Sequence, residues 1–143
     1  MLTITKEFSF EMSHQLEGYE GKCRNVHGHS YRLFVSVCGT PIATPNHPCC
    51  GMIMDFAELK KIVETQIISV FDHALTLKKD SSLQKTLQST DTHIVTVDYQ
   101  PTCENLVLDF VQRLQNKLPQ NVQLWQLKLY ETATSCAQWT SDN

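Results

Sequence analysis

The sequence has no long apolar run and no excess of basic residues. No stretch approaches the roughly 18 apolar residues that a membrane span needs. The first residues, Met-Leu-Thr-Ile-Thr-Lys-Glu-Phe, lack the basic start and apolar core of a signal peptide. The formal net charge is −3, whereas nucleic-acid binding calls for a basic surface. These absences argue against a membrane span and general nucleic-acid binding, and they predict a cytoplasmic protein.

The sequence also has no internal repeat, no low-complexity segment and no linker-like stretch. With 143 residues, 41% hydrophobic and 19% charged, it is predicted to fold as a single domain over 1–143. Its six cysteines are predicted to stay reduced, because no export signal is present. Cys38 fits a buried strand position. His47, Cys49 and Cys50 are interpreted as an exposed loop rather than as a second metal cluster.

Alternating apolar and polar residues predict strands at 2–14, 29–39 and 122–132. A shorter strand is predicted around 94–97, and a short helix around 83–87. In the last long strand, one face carries Trp125, Leu127, Leu129 and Glu131.

Two longer helices are predicted from apolar residues at helical spacing. The first begins after Asp55, with Glu58 three positions later as in a capping box, and runs to about residue 70. The second begins after Thr102, with Glu104 in its first turn, and ends at Pro119. Two long helices against an antiparallel sheet predict an α+β sandwich. A small sheet with free edges also favours assembly with other subunits.

Three histidines occur within the first 29 residues, and they share one strand face. His14 ends the first strand, whereas His27 and His29 lie two residues apart at the start of the second, on the same side of an extended chain. If the two strands pair antiparallel, the three imidazoles converge. We predict that they bind zinc and leave one coordination position open, which is typical of catalytic zinc. Three unrelated histidines are the alternative.

Cys23 lies four residues before His27, between the basic residues Lys22 and Arg24. Spacing alone leaves two interpretations open. The thiol is either a fourth zinc ligand, which would close a structural site, or a base or nucleophile activated by the metal and by its basic neighbours.

Two segments with acidic residues can each be interpreted in more than one way. Glu131 continues the apolar face of the last strand, where a carboxylate is costly unless it is paired or binds a ligand. It is either an anchor for a planar ligand with two parallel N–H donors or a solvated residue at a frayed strand end. Asp72-His73 follows the first helix, and spacing alone favours a helix C-terminus where a charged imidazole meets the dipole.

Six segments in order resemble the 6-pyruvoyl-tetrahydropterin synthase / 6-carboxy-5,6,7,8-tetrahydropterin synthase family, over nearly the whole chain. They are Phe10 to Leu16, Cys23-x-x-x-His27-Gly28-His29-Ser30, Gly51 to Lys60, Asp72-His73, Pro101 to Leu106 and Tyr130-Glu131-Thr132. The resemblance implies the tunnelling fold, a four-stranded antiparallel sheet with two helices packed on one face. Its subunits close into barrels as homo-oligomers, commonly hexamers built from two trimers.

The resemblance also implies roles for individual residues. It implies three zinc ligands, which are His14, His27 and His29. It implies that Cys23 is the proton-abstracting base. It also implies that Asp72 and His73 form a proton relay with this thiol and reach it from a neighbouring subunit. It implies a pterin anchor and two residues that line the pterin pocket, which are Glu131, Thr102 and Cys103.

The family substrate is 7,8-dihydroneopterin triphosphate, whose paired ring N–H donors suit Glu131 and whose anionic tail suits Lys22 and Arg24. The carboxy branch releases acetaldehyde and triphosphate and leaves 6-carboxy-5,6,7,8-tetrahydropterin, for 7-deazaguanine and queuosine synthesis. The pyruvoyl branch eliminates triphosphate on the way to tetrahydrobiopterin. The three-residue gap between Cys23 and His27 is similar to the carboxy branch, which we therefore expect. A pyruvoyl synthase and a non-catalytic zinc module with Cys23 as fourth ligand are the alternatives.

Two segments depart from the family pattern. The segment 74–100 is longer than in compact family members, and the loop 41–50 is enlarged. Both are expected to affect access to the pocket or contacts between subunits.

Overall fold

The computed structural model describes residues 1–142. Its strands are β1 (Thr3–His14), β2 (His27–Gly39), β3 (Ala74–Lys78), β4 (Ile94–Val97), β5 (Val122–Tyr130) and β6 (Cys136–Thr140). Its helices are α1 (Phe56–Val63), a π-helical continuation (Glu64–Ile68), α2 (Ser69–Phe71), α3 (Ser82–Leu87) and α4 (Cys103–Gln115). A 3₁₀ turn (Lys22–Arg24) lies between β1 and β2.

The sheet has six strands in the order β4-β3-β1-β2-β5-β6, so the expected four-stranded sheet is wrong. It is also mixed, because β3 pairs parallel with both β1 and β4, whereas the other pairs are antiparallel. Both β3 and β4 belong to the long segment 74–100, in which α3 forms the crossover that parallel strands require. The prediction of an α+β fold is confirmed.

The sequence pattern misses β3 and β6 for different reasons. In β3, Ala74, Thr76 and Leu77 are all buried, so the strand shows no alternation. β6 does alternate, with Ala137 and Trp139 half-buried between exposed residues, but it is an edge strand of only five residues. Such a short run is a weak sequence signal.

The core lies between one face of the sheet and the helices. β1 and β2 pair along their whole lengths, from Thr3 opposite Cys38 to His14 opposite His27. The alternation places Phe8, Phe10, Met12, Tyr31, Leu33 and Val35 on the covered face. The helical residues that pack on them include Leu59, Val63, Ile67, Leu106, Phe110 and Leu114. The opposite face of β1 and β2 carries mainly exposed polar residues, among them Thr5, Glu7, Ser9, Ser30 and Arg32.

Both long helices begin where their capping residues predict. Asp55 accepts a hydrogen bond from the backbone N–H of Ala57 at 2.8 Å, and Thr102 accepts one from that of Asn105 at 3.2 Å. The first helical stretch continues through the π-helical turns as far as Phe71, one residue beyond the predicted end.

A shift in register changes the faces of β5. The pairing with β2 slips between Ser36 and Val37, so that Trp125 is bypassed in the ladder. Leu124 is therefore buried together with Leu127, and Trp125 is only half-buried. The prediction that Trp125 shares the face of Leu127 is wrong, because one extra residue inverts the alternation.

The six cysteines are free thiols. Cys38 is buried in β2, as predicted, while Cys49 is half-buried and Cys50 exposed in the loop after β2. Within residues 1–142, the helices are too short or too polar to cross a membrane.

Replacing Leu106 by alanine tests the packing of α4 on the sheet. Leu106 is fully buried, so Leu106→Ala should lower the free energy of unfolding by about 2–5 kcal/mol in denaturant titrations. Leu108 lies on the same helix but is 51% exposed, and Leu108→Ala should change stability by less than about 0.5 kcal/mol. Equal losses for the two variants would contradict this orientation of α4.

Candidate functional site

Strand pairing brings the three N-terminal histidines together. His14 lies opposite His27 in the β1–β2 ladder, and His29 lies opposite Met12 on the same face. One ring nitrogen of each histidine is within 4.8 Å of the others, and the Nε2 atoms of His14 and His27 are 3.0 Å apart. The predicted convergence of the imidazoles is confirmed.

Backbone carbonyls fix the orientation of two of these rings. Nδ1 of His14 donates to the carbonyl of Pro101 at 2.6 Å, and Nδ1 of His27 donates to that of Asn25 at 2.7 Å. Each Nε2 therefore presents a lone pair, and two lone pairs face each other across 3.0 Å. Nε2 of His29 is buried without a hydrogen-bond partner in the described residues. A cation is the partner that satisfies all three nitrogens.

Two of the three histidines are held in their neutral form. Burial lowers the pKa of His14 to about 4, against a smaller opposing effect of its hydrogen bond to Pro101. Burial also lowers the pKa of His29, with Glu131 acting in the opposite direction. Both imidazoles are therefore uncharged at neutral pH, which is the form that binds metal ions.

Glu131 points its carboxylate at the histidines. The residue follows the last residue of β5, yet its side chain turns inward and is only 27% exposed. Oε1 lies 3.6 Å from Nε2 of His14 and 3.6 Å from Nε2 of His29. These contacts are not ion pairs at neutral pH, because the imidazoles are uncharged. A carboxylate and three nitrogen lone pairs surround one point, so the local electrostatics favour a cation there.

This donor set fits zinc. Three converging imidazoles, two of them with ring N–H groups fixed by backbone carbonyls, are typical zinc ligands with typical outer partners. Among residues 1–142, His14, His27 and His29 form the only cluster of this kind. Cys23 is not part of it, and neither are Cys49 and Cys50.

Cys23 lies beside the cluster rather than within it. Its 3₁₀ turn is tied to the end of β1, because the backbone N–H of Leu16 donates to the carbonyl of Cys23 at 3.0 Å. The side chain is half-buried. Burial, reinforced by the negative charge of Glu131, raises the pKa of the Tyr31 phenol. The Glu131 carboxylate and this phenol therefore lie near each other.

Asp72 and His73 form a pair on the other face of the sheet. Nδ1 of His73 is 3.0 Å from Oδ1 of Asp72, whose pKa is lowered first by the backbone N–H of Glu11 and further by His73. His73 has a φ of 60°, in the sparsely populated left-handed region. Its imidazole borders a cleft of about 360 Å³ with Glu11 and Ser30. The side chain is 77% exposed, and Asp72 is extended rather than helical. Of the three clustered histidines, His29 also lines this cleft.

Of the two predicted pocket residues, Cys103 lies with Glu131 and Thr102 does not. Cys103 and Glu131 line one cleft of about 110 Å³. The Cys103 thiol donates to the carbonyl of Leu129 at 3.3 Å, and burial raises its pKa to about 11. Thr102 caps α4 and borders a separate cleft with Glu17.

Sequence reasoning misses three contributors to the site. The carbonyls of Pro101 and Asn25 orient the histidine rings, and backbone groups leave no mark in a motif. Tyr31 could have been found from the sequence, because its hydroxyl lies on the core face of β2, two residues after His29.

The sequence of the chain is similar to those of known proteins. The model of the family described as 6-pyruvoyl tetrahydropterin synthase matches residues 3–142. The chain is 34% identical over 143 residues to the 6-carboxy-5,6,7,8-tetrahydropterin synthase of Haemophilus influenzae, covering 97% of this chain and 99% of that protein. It is 32% identical over 141 residues to human 6-pyruvoyl tetrahydrobiopterin synthase, covering 90% and 84%.

Solved structures share the fold. An uncharacterized protein from Wolinella succinogenes superposes with a TM-score of 0.81 at 21% identity, covering 99% of this chain and 98% of that chain. The 6-pyruvoyl tetrahydropterin synthase of Caenorhabditis elegans gives a TM-score of 0.67 at 24% identity, covering 99% and 96%. With a family match over almost its entire length, the chain belongs to the 6-pyruvoyl tetrahydropterin synthase family.

Proposed function

We propose that this protein is a zinc-dependent 6-carboxy-5,6,7,8-tetrahydropterin synthase. It would convert 7,8-dihydroneopterin triphosphate to 6-carboxytetrahydropterin, acetaldehyde and triphosphate, as a step towards 7-deazaguanine and queuosine. The observation that carries the proposal is the cluster of three histidines, next to a carboxylate oxygen 3.6 Å from Nε2 of His14 and of His29. The 34% identity to a relative of that name supports the carboxy branch.

The three histidines would hold the zinc. Zinc bound there would act as a Lewis acid, making a substrate hydroxyl and the adjacent carbon more acidic. The protein's own contribution is rigidity, since the Pro101 and Asn25 carbonyls fix two of the rings before any ligand binds.

Cys23 would be the proton-abstracting base. Its turn is fixed beside the metal ligands by the hydrogen bond from Leu16, while the thiol stays outside the ligand cluster and keeps its lone pairs for chemistry. Lys22 and Arg24 flank it with positive charge, which suits the triphosphate of the substrate.

Glu131 would anchor the pterin ring. A carboxylate accepts two parallel N–H donors, and the pterin edge offers such a pair. Cys103 lies in the same cleft, where its protonated thiol would border the ring. Thr102 would act by fixing the start of α4, which places Cys103.

The Asp72–His73 pair would serve a neighbouring subunit. The imidazole is 77% exposed and stands on the sheet face opposite to the histidines, so its relay function requires a second copy of the chain. We therefore propose a homo-oligomer, a hexamer built from two trimers, in which His73 of one subunit meets Cys23 of the next.

Removing the thiol separates an enzyme from a structural zinc module. Cys23→Ala should retain zinc, measured per chain by elemental analysis, because the thiol lies outside the ligand cluster. Turnover should fall by about 10²–10⁴-fold, since proton abstraction loses its base.

Two further variants are the controls for this measurement. His29→Ala should lose zinc, because it removes one of the three ligands, and Cys50→Ala, at an exposed loop cysteine, should keep both zinc and activity. Loss of zinc from Cys23→Ala would favour the non-catalytic module with four protein ligands.

Replacing Glu131 by alanine tests the anchor. Glu131→Ala should weaken the binding of a pterin by at least about 100-fold, because two charge-assisted hydrogen bonds disappear, while zinc content stays unchanged. Fluorescence titration measures the affinity. Glu104→Ala removes a different carboxylate from the same cleft and should leave the affinity within about twofold. An unchanged affinity in Glu131→Ala would refute the anchor.

The products distinguish the two branches of the family. The zinc-loaded enzyme should release one acetaldehyde for each triphosphate from 7,8-dihydroneopterin triphosphate. Acetaldehyde is measured with alcohol dehydrogenase and NADH, and triphosphate by ion chromatography. Triphosphate without acetaldehyde would identify a pyruvoyl synthase instead, and the release of neither product would overturn both assignments.

A further inference from the structure

Tyr31 carries a buried hydroxyl without a hydrogen-bond partner. The side chain is 0% exposed, and its ring stacks on Phe10 with centroids 5.0 Å apart and planes at 6°. Within residues 1–142 the hydroxyl oxygen has no partner. A phenylalanine would fill the same space without leaving a polar atom unsatisfied, so packing does not explain the hydroxyl. A buried polar group of this kind points to a partner that another state of the site supplies.

The register of the sheet identifies that partner. Arg32 pairs with Tyr130, so the next positions along β2 and past the end of β5 are Tyr31 and Glu131, which share the covered face. Both border His29: the Tyr31 and His29 ring centroids are 5.5 Å apart, and Oε1 of Glu131 is 3.6 Å from Nε2 of His29. The carboxylate is close enough for its charge to act on the phenol.

We propose that Tyr31 is a positioning residue for Glu131, whose carboxylate accepts a hydrogen bond from the Tyr31 hydroxyl when a pterin is bound. This inference rests on the proposed function and extends it by one residue. A neutral phenol is a donor, and an ionised carboxylate accepts several hydrogen bonds. Tyr31 has no exposed surface, so it acts on the ligand through Glu131 rather than by direct contact.

The free and bound states differ in where the carboxylate points. In the structure, Oε1 of Glu131 leans toward His14 and His29. To accept two ring N–H donors, the carboxylate must present both oxygens to the pterin, and its remaining lone pairs then face the protein. Tyr31 is the buried donor on that side. Its hydrogen bond would select the orientation of Glu131 that fits the ring.

Tyr31→Phe tests this role in the zinc-loaded protein. Without ligand its melting temperature should equal or exceed that of the wild type, because the substitution removes an unsatisfied buried hydroxyl. Its dissociation constant for unsubstituted pterin, titrated by fluorescence, should rise about tenfold. Zinc content should be unchanged. A purely structural role would instead lower the melting temperature and leave the affinity of the folded protein intact.

Tyr99→Phe is the matched control. The Tyr99 hydroxyl donates to Asp109. Both residues line a cleft that includes none of the three histidines. Loss of the Tyr99 hydroxyl should lower the melting temperature and leave pterin affinity unchanged. The same affinity loss in both variants would overturn the proposal.

A double-variant cycle tests whether Tyr31 acts through Glu131. In a Glu131→Gln background, Tyr31→Phe should weaken pterin binding at least threefold less than in the wild type, because a neutral amide oxygen is a poorer acceptor. Equal effects in both backgrounds would overturn action through Glu131. If wild type binds pterin and Tyr31→Phe binds equally well, only this inference fails. If the zinc-loaded wild type binds no pterin, the proposed function fails with it.

Discussion

The antiparallel pairing of β1 with β2 is the constraint on which the site depends. It runs without interruption from Thr3 opposite Cys38 to His14 opposite His27, and the side-chain period of two then puts His29 on the same face. A slip of one residue would turn the histidines of one strand to the polar face. The long alternating run of buried residues on both strands makes such a slip costly, since it would expose either Phe8, Phe10 and Met12 of β1 or Tyr31, Leu33 and Val35 of β2. The hydrophobic core thereby fixes the geometry of the three histidines.

Unfavourable electrostatics are the second feature of the site. Burial keeps His14 and His29 uncharged, the Nε2 atoms of His14 and His27 lie 3.0 Å apart, and the Glu131 carboxylate approaches two of the rings. The N–H groups of His14 and His27 do not relieve this, because both are used on backbone carbonyls. The fold holds these acceptors together by the packing of the surrounding strands and helices. The stability of the surrounding packing offsets the local repulsion between these acceptors, and this repulsion favours the binding of a cation.

Much of this could be predicted from the sequence, and the failures have physical reasons. The period of two located β1 and β2, and Asp55 and Thr102 marked the helix starts, because these signals are local. The predicted number of strands was wrong partly because β3 is buried without alternation. The predicted face of Trp125 was wrong because of a register shift that no local sequence pattern encodes. In the site, parity predicted the histidine cluster. Parity also placed Glu131 on the face of Leu127 and Leu129, but it left open whether the strand end is frayed. It could not predict where Asp72 and His73 lie, because that depends on tertiary structure.

The residues that start α4 connect the two halves of the site. The carbonyl of Pro101 orients His14, Thr102 caps the helix, and the Cys103 thiol holds the carbonyl of Leu129, two residues before Glu131. The segment 101–103 therefore links His14 on β1 to Glu131, the residue just after β5. A displacement of this helix along its axis would shift both at once, in opposite parts of the pocket. A molecule that bound the exposed side of α4 and moved the helix would therefore displace His14 and Glu131 together.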